Sequence, residues 1–296
     1  MAKKNDREHL AGRNLVVAIL LNVGIMLAQV IGGLVSGSLA LLADAVHNGS
    51  DAAALGIAYG ARRTAQRRAD LRLTFGYRRA ELIGAMINLT VLFVIALYLL
   101  YESVRRFVDP PEVGGVVMIA VGAIAFVEDG ISAWLLYRGQ RGSRNIRAAF
   151  IHMMADTLSS VGVVVGGILI LTVGLVWIDP LLTAGIAVYI IVSSYSEIRK
   201  TIAVLMESAP PGFDLNAMVA AVESLDGVSD VHHVHVWQLD EKRVALEAHV
   251  AVKEDDLERI ETLKGRIKQL LHDEYDIGHA TLEIEPAGLT GHARDV

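Results

Sequence analysis

Apolar residues in this chain run almost unbroken over lengths near twenty, where a water-soluble helix would repeat them every three or four positions. The runs cover residues 14–35, 39–61, 81–101, 113–137, 149–175 and 178–198. About twenty apolar residues are what a helix needs to cross the hydrocarbon core of a bilayer. The pattern therefore predicts six membrane-spanning helices, the second, fourth and fifth carrying charged residues. Several contain glycine and other small residues, which membrane helix contacts tolerate. The first run has no small-residue cleavage site and leads straight into the second, so it reads as a span and not as a signal peptide.

The pattern changes after residue 208. "MESAPPGFD", residues 206–214, stops a helix, because Pro210, Pro211 and Gly212 cannot continue one. Beyond it, "LNAMVAAVESL" reads as a helix, and "VSDVHHVHVWQLD" and "RVALEAHVAV" as strands around a short "EK" turn. "DDLERIETLKGRIKQLLHD" reads as an amphipathic helix and "HATLEIEP" as a last strand. An α-β-β-α-β order predicts a small α+β domain with its helices on one face of the sheet. The expected fold is thus an all-α six-helix transmembrane domain over residues 1–208, followed by a cytoplasmic α+β domain over 209–296.

Charge sharpens this division. The net charge of −6 conceals +4 over residues 1–208 and −10 over 209–296. Neither part resembles a nucleic-acid binder. Arginines gather in the N-terminal tail, in the link between the second and third helices, in "RGQRGSRNIR" and after the sixth helix, whereas "VSGS" and "VGLVWIDP" have none. The positive-inside rule then places both termini in the cytoplasm. The absence of cysteine excludes disulfides and thiolate metal sites, so any metal must be held by imidazole nitrogen and carboxylate oxygen.

Of ten histidines, two fall in the membrane domain, and both occur as His-x-x-x-Asp: His47 with Asp51 in "ADAVHNGSD", and His152 with Asp156 in "FIHMMAD". Positions four apart on a helix share a face. Two such helices side by side would offer two nitrogens and two oxygens to one cation, a tetrahedral set suited to Zn²⁺. One polar pair could equally be interhelical glue; two of identical spacing, using every membrane histidine, point to metal. The His-Glu-x-x-His pattern of a zinc protease is absent, and the chain is not read as an enzyme. Asp44, three residues before His47, either orients a ligand or is a helix-end charge. In "AFVEDGISAW" the adjacent Glu128 and Asp129 lie mid-span. Asp129 reads either as a proton-path carboxylate or selectivity modifier, or as a partner for a polar group on a neighbouring helix.

With these motifs the chain resembles the cation diffusion facilitators, exporters of zinc and other divalent metals. "SGSLALLADAVHNGSD" is similar to the family's second helix, "FGYRRAE" to the start of its third, and "NIRAAFIHMMADTLSSVG" to its fifth. "GVSDVHHVHVW", "AHVAV" and "GHATLEIEP" are similar to its cytoplasmic domain. The resemblance implies a homodimeric metal/proton antiporter in the bilayer, with a metallochaperone-like αββαβ domain. It implies that His47, Asp51, His152 and Asp156 form the transport site, of the zinc-preferring kind, and that His232, His249 and Glu285 occupy cytoplasmic metal positions. Glu283 stands where some relatives have a bridging histidine, and Leu263 replaces a possible further ligand, so a single cytoplasmic metal is expected. Strand alternation fits only partly, because His232 falls on the face of Val234 and Val236. In the link between helices two and three, Asp70 is accompanied by Leu73 and Tyr77 where relatives have imidazoles; no metal site is expected there, and Asp70 is expected to pair with an arginine. The short chain without a His-rich loop suggests a bacterial-type inner membrane. Zn²⁺ efflux against protons is the leading reading; a membrane-anchored metal sensor without transport is the alternative.

Overall fold

The computed structural model describes residues 23–65, 69–137, 144–240, 242–253 and 256–287. The basic N-terminal tail, Arg67, Arg68 and the "RGQRGS" part of the fourth link lie outside them. By backbone contacts the chain divides into two compact units, one of residues 1–63 and 84–198 and the other of residues 64–83 and 199–296.

The first unit is built from α1 (Val23–Ser36), α2 (Leu39–Ala65), α3 (Arg79–Val108), α4 (Gly115–Tyr137), α5 (Arg144–Val173) and α6 (Ile178–Leu205). Among these, α3, α4, residues Ala149–Val173 of α5, and α6 are long and apolar enough to cross a membrane. The helix α2 falls short of that mark because it carries Asp44, His47 and Asp51, and the described part of α1 is shorter. The bundle is apolar outside as well as inside. Ile83, Ile87, Val91, Val94 and Tyr98 form an exposed stripe along α3, as a helix facing lipid would show.

The helix α2 is the hub. Its Leu39 and Ala43 pack with Leu99 of α3 and Ala187 of α6. Its Ala40 and Leu41 pack with Met118 of α4 and with Val163 and Ile170 of α5. Buried on both sides, α2 holds its polar residues inside protein, where they must find partners. Glycine lets α4 and α5 approach: a Cβ on Gly167 would lie 2.7 Å from Ile119 Cγ1 and 3.1 Å from the Gly115 carbonyl oxygen.

The start of α2 is capped from far along the chain. Asp179, at the start of α6, accepts from the Leu39 amide at 2.9 Å, the Ala40 amide at 3.2 Å and the Ser38 hydroxyl at 2.6 Å. These are the first amides of α2, which its own backbone leaves unpaired.

The second unit contains α7 (Leu215–Glu223), β1 (Val228–Asp240), β2 (Arg243–Val252), α8 (Leu257–Tyr275) and β3 (Ile277–Pro286). The αββαβ order is the expected one. Strand order is β1-β2-β3, with β1 antiparallel to β2 and β3 parallel to it, so α8 serves as the crossover. Asp214 caps α7 and Asp256 caps α8. Met218 and Val222 of α7 and Leu263, Ile267 and Leu271 of α8 cover a sheet face that includes Val231, Leu246, Val250 and Ile277. Leu263 is thus a core residue.

Two local expectations change. His232 does not follow simple alternation, because β1 has a bulge: the register slips between His232, opposite His249, and His235, opposite Glu247. His233 takes a left-handed φ of 49° there, which resets the strand so that His232 is buried beside His249 and Glu285 instead of joining Val234 and Val236 in the core, while His233 and His235 remain exposed. Among the described residues, which leave out Arg67 and Arg68, Asp70 has no arginine side chain as partner. The Tyr77 hydroxyl donates to it, as do the amides of Arg72 and Leu73 at 2.8 and 2.7 Å; short local partners close a turn that a long guanidinium would leave open.

Candidate metal centres

The membrane site assembles from two helices. On α2, His47 and Asp51 are one turn apart; on α5, so are His152 and Asp156. The pairs cross: His47 Nε2 lies 3.0 Å from Asp156 Oδ1, and His152 Nε2 lies 3.2 Å from Asp51 Oδ2. Within each helix the separations are longer, 3.9 Å for His47–Asp51 and 3.6 Å for His152–Asp156. One ligand atom from each of the four residues lies within 4.8 Å of the others. The imidazole rings stand edge-on with centroids 5.5 Å apart.

The four differ in access. The His47 and Asp156 side chains are 10% and 5% exposed, those of Asp51 and His152 32% and 38%. His47 Nδ1 and Asp156 Oδ2 are buried with no hydrogen-bond partner among the described residues. Buried polar atoms are nearly always paired, so an orphaned carboxylate oxygen beside two imidazoles fits a cation-binding position.

A polar layer backs the buried side. Gln29 of α1 donates to Asp44 Oδ2 at 2.6 Å, Asn48 donates to Gln29 at 2.9 Å, and Ser159 of α5 donates to Asp44 Oδ1 at 3.2 Å. Asp44 is therefore an interior residue and not a helix-end charge. The next residue of α5, Ser160, donates to Asp129 of α4 at 2.7 Å, the polar pairing considered for that carboxylate. Glu128 accepts from Ser132 on its own helix. Tyr189 of α6 stands edge-on to His47, centroids 5.9 Å apart. Gln29, Ser159, Ser160 and Tyr189 were not singled out from sequence; a glutamine inside the first apolar run was the available signal.

The second cluster lies on the sheet. His249 Nδ1 is 2.8 Å from Glu285 Oε1, His232 Nε2 is 3.4 Å from Glu285 Oε2, and the three offer atoms within 4.8 Å of one another. Asp230 holds the other nitrogen of His232 at 2.9 Å, the carboxylate–imidazole arrangement that orients a metal ligand. Glu283 approaches His249 at 3.4 Å from an exposed position. Both clusters use only nitrogen and oxygen.

Two family profiles match the chain: the cation efflux transmembrane domain over residues 15–206, and the cation efflux protein cytoplasmic domain over residues 210–287. The chain belongs to the cation efflux family, the cation diffusion facilitators. This facilitator is 37% identical over 276 residues to the zinc transporter ZitB of Pectobacterium atrosepticum, covering 92% of this chain and 85% of that one. It is 33% identical over 285 residues to the cadmium, cobalt and zinc/H(+)-K(+) antiporter of Bacillus subtilis, covering 95% and 91%. It is 33% identical over 289 residues to the metal cation efflux system protein CzcD of Cupriavidus metallidurans, covering 97% and 91%.

Proposed function

We infer that this facilitator carries a divalent cation, Zn²⁺ first, out of the cytoplasm in exchange for protons, with His47, Asp51, His152 and Asp156 as the ligands of the cargo. The carrying observation is the crossed convergence of the four residues, with one buried oxygen, Asp156 Oδ2, left without a hydrogen-bond partner among the described residues. The named activities of the relatives in Bacillus and Pectobacterium support metal choice and proton coupling.

The ligand chemistry supplies the exchange. Zn²⁺ requires neutral imidazole and ionised carboxylate, so protons compete for the same atoms. Histidine changes charge near physiological pH, which lets proton entry on one side release metal and proton loss on the other reload it. Asp51 and His152 are the more exposed pair, and they lie toward the ends of α2 and α5 joined to the basic links. With the basic links and both termini in the cytoplasm, the site opens inward, toward its supply of metal. The polar layer at Asp44, Gln29 and Ser159 closes the opposite side, and rocking of helices would exchange the two accesses. Asp129 is the carboxylate we assign to the proton path.

Residues 1–208 thus form the transport domain, and residues 209–296 a regulatory domain in which Zn²⁺ binds His232, His249 and Glu285. Two strongly acidic domains repel, and bound cations would offset that repulsion and draw a homodimer together.

The test is Zn²⁺ flux into proteoliposomes under an imposed proton gradient. Asp156→Ala abolishes flux while the protein remains folded. Flux equal to wild type would remove the assignment.

A further inference from the structure

The link joining α2 to α3 is a built turn. Asp70 anchors it through the Arg72 and Leu73 amides and the Tyr77 hydroxyl. Gly76, with φ of 80°, closes it by donating to the Leu73 carbonyl at 2.8 Å. Together with the β1–β2 hairpin this turn lines a groove of about 270 Å³.

Four arginines line the groove: Arg72, Arg78 and Arg79 from the link and the start of α3, and Arg243 from β2. Glu207 answers Arg79 at 3.2 Å. Asp240 is shared, 2.9 Å from Arg243 and 3.8 Å from Arg78. Arg72 has no carboxylate partner among the described residues. With Asp70 at the anchor of the turn, three carboxylates face four guanidiniums, and the groove carries one surplus positive charge. Guanidinium forks match phosphate oxygens two at a time.

The apolar residues beside these arginines point to the source of the phosphate. Leu71 is fully exposed, and Leu73 and Phe75 are 44% and 54% exposed. They alternate with Arg72 and Thr74 immediately before α3, a helix apolar enough to cross the membrane. Exposed leucines flanked by arginines at the end of a span suit the headgroup layer, where acyl chains meet apolar side chains and phosphates meet guanidiniums.

We propose that this groove binds the phosphodiester headgroup of an anionic phospholipid, with Arg72 as its uncommitted ligand and Leu71 and Leu73 against the acyl chains, Phe75 being held edge-on to His279. The site is separate from both metal clusters and does not depend on the transport reading.

The experiment is native mass spectrometry of the full-length protein exchanged into an equal mixture of phosphatidylglycerol and phosphatidylcholine, counting retained lipid. Wild type retains phosphatidylglycerol preferentially. Arg72→Gln lowers that retention about fivefold, the worth of one basic residue at an anionic surface. Arg72→Lys, which keeps the charge but not the fork, falls between the two and covers the case of a Gln variant that fails to fold. Millimolar glycerol 3-phosphate leaves the retained lipid in place. Equal retention by wild type and both variants would overturn the site. Displacement by glycerol phosphate would overturn the lipid as its occupant, leaving a site for soluble phosphate esters.

Discussion

His47 of α2 and Asp156 of α5, 109 residues apart in the chain, meet Nε2 to Oδ1 at 3.0 Å. The closest carboxylate to each of the two membrane histidines, His47 and His152, is the aspartate of the other helix, because α2 and α5 run antiparallel here. A repeated His-x-x-x-Asp read in opposite directions puts one imidazole and one carboxylate in each of two layers. Parallel helices would instead have stacked the two imidazoles in one layer and the two carboxylates in the other.

His249→Ala removes one of the three side chains that converge on the sheet and that we propose as Zn²⁺ ligands. Zn²⁺ affinity of that cluster is expected to fall by more than about 100-fold, since even partners behind the ligands cost 10–100-fold. Equilibrium dialysis of the full-length protein should then show one fewer tight Zn²⁺ per protomer, with flux through the membrane site retained at saturating metal. Unchanged stoichiometry would place the tight metal elsewhere.

Asp179→Ala strips the cap from the first turn of α2. Two amides and a hydroxyl lose a charged acceptor in the interior, a cost of about 1–3 kcal/mol. Thermal unfolding in detergent should show a lower midpoint, with Asp179→Asn intermediate. If the midpoint stays put, another group satisfies those amides.

Asp129→Asn keeps shape and can still accept from Ser160 but cannot carry a proton. The expected result is Zn²⁺ affinity close to wild type with slower flux and an altered pH profile. A pH profile superimposable on wild type would reduce Asp129 to an interhelical hydrogen bond.

Asp240 closes the β1–β2 turn. Burial pushes its carboxyl up, but the Lys242 amide and the guanidinium and amide of Arg243 outweigh this and hold it below its ordinary value. A depressed carboxylate contributes stability above its unfolded value of about 3.9, lost as pH falls through the lower folded value. Amide exchange at residues 242 and 243 should therefore accelerate in that acid range. Asp240→Asn should show the faster exchange already at neutral pH, at a cost of about 1 kcal/mol for a part-buried carboxylate at a surface turn. Exchange indifferent to both acid and substitution would remove the cap.

Much of the site could be read before the fold. The His-x-x-x-Asp repeat was visible because a helix puts positions four apart on one face wherever it lies. The His232–His249–Glu285 cluster was legible only through resemblance, since the bulge that moves His232 to the face of His249 leaves no mark in simple alternation. At Asp70 nearby arginines suggested an ion pair; among the described residues its partners are two backbone amides and Tyr77.

The linear order of residues settled what depends on near neighbours: the apolar spans, the Pro-Pro-Gly stop and both strands of the hairpin. Hydropathy and backbone preference act over a few residues, so such features can be read without the fold. Tertiary structure alone decided which distant groups meet. The crossing of His47 with Asp156, the grip of Asp179 on α2, the layer from Gln29 to Ser159, and the arginine groove each join segments that only packing brings together. Buried polar atoms accept whatever partner that packing supplies.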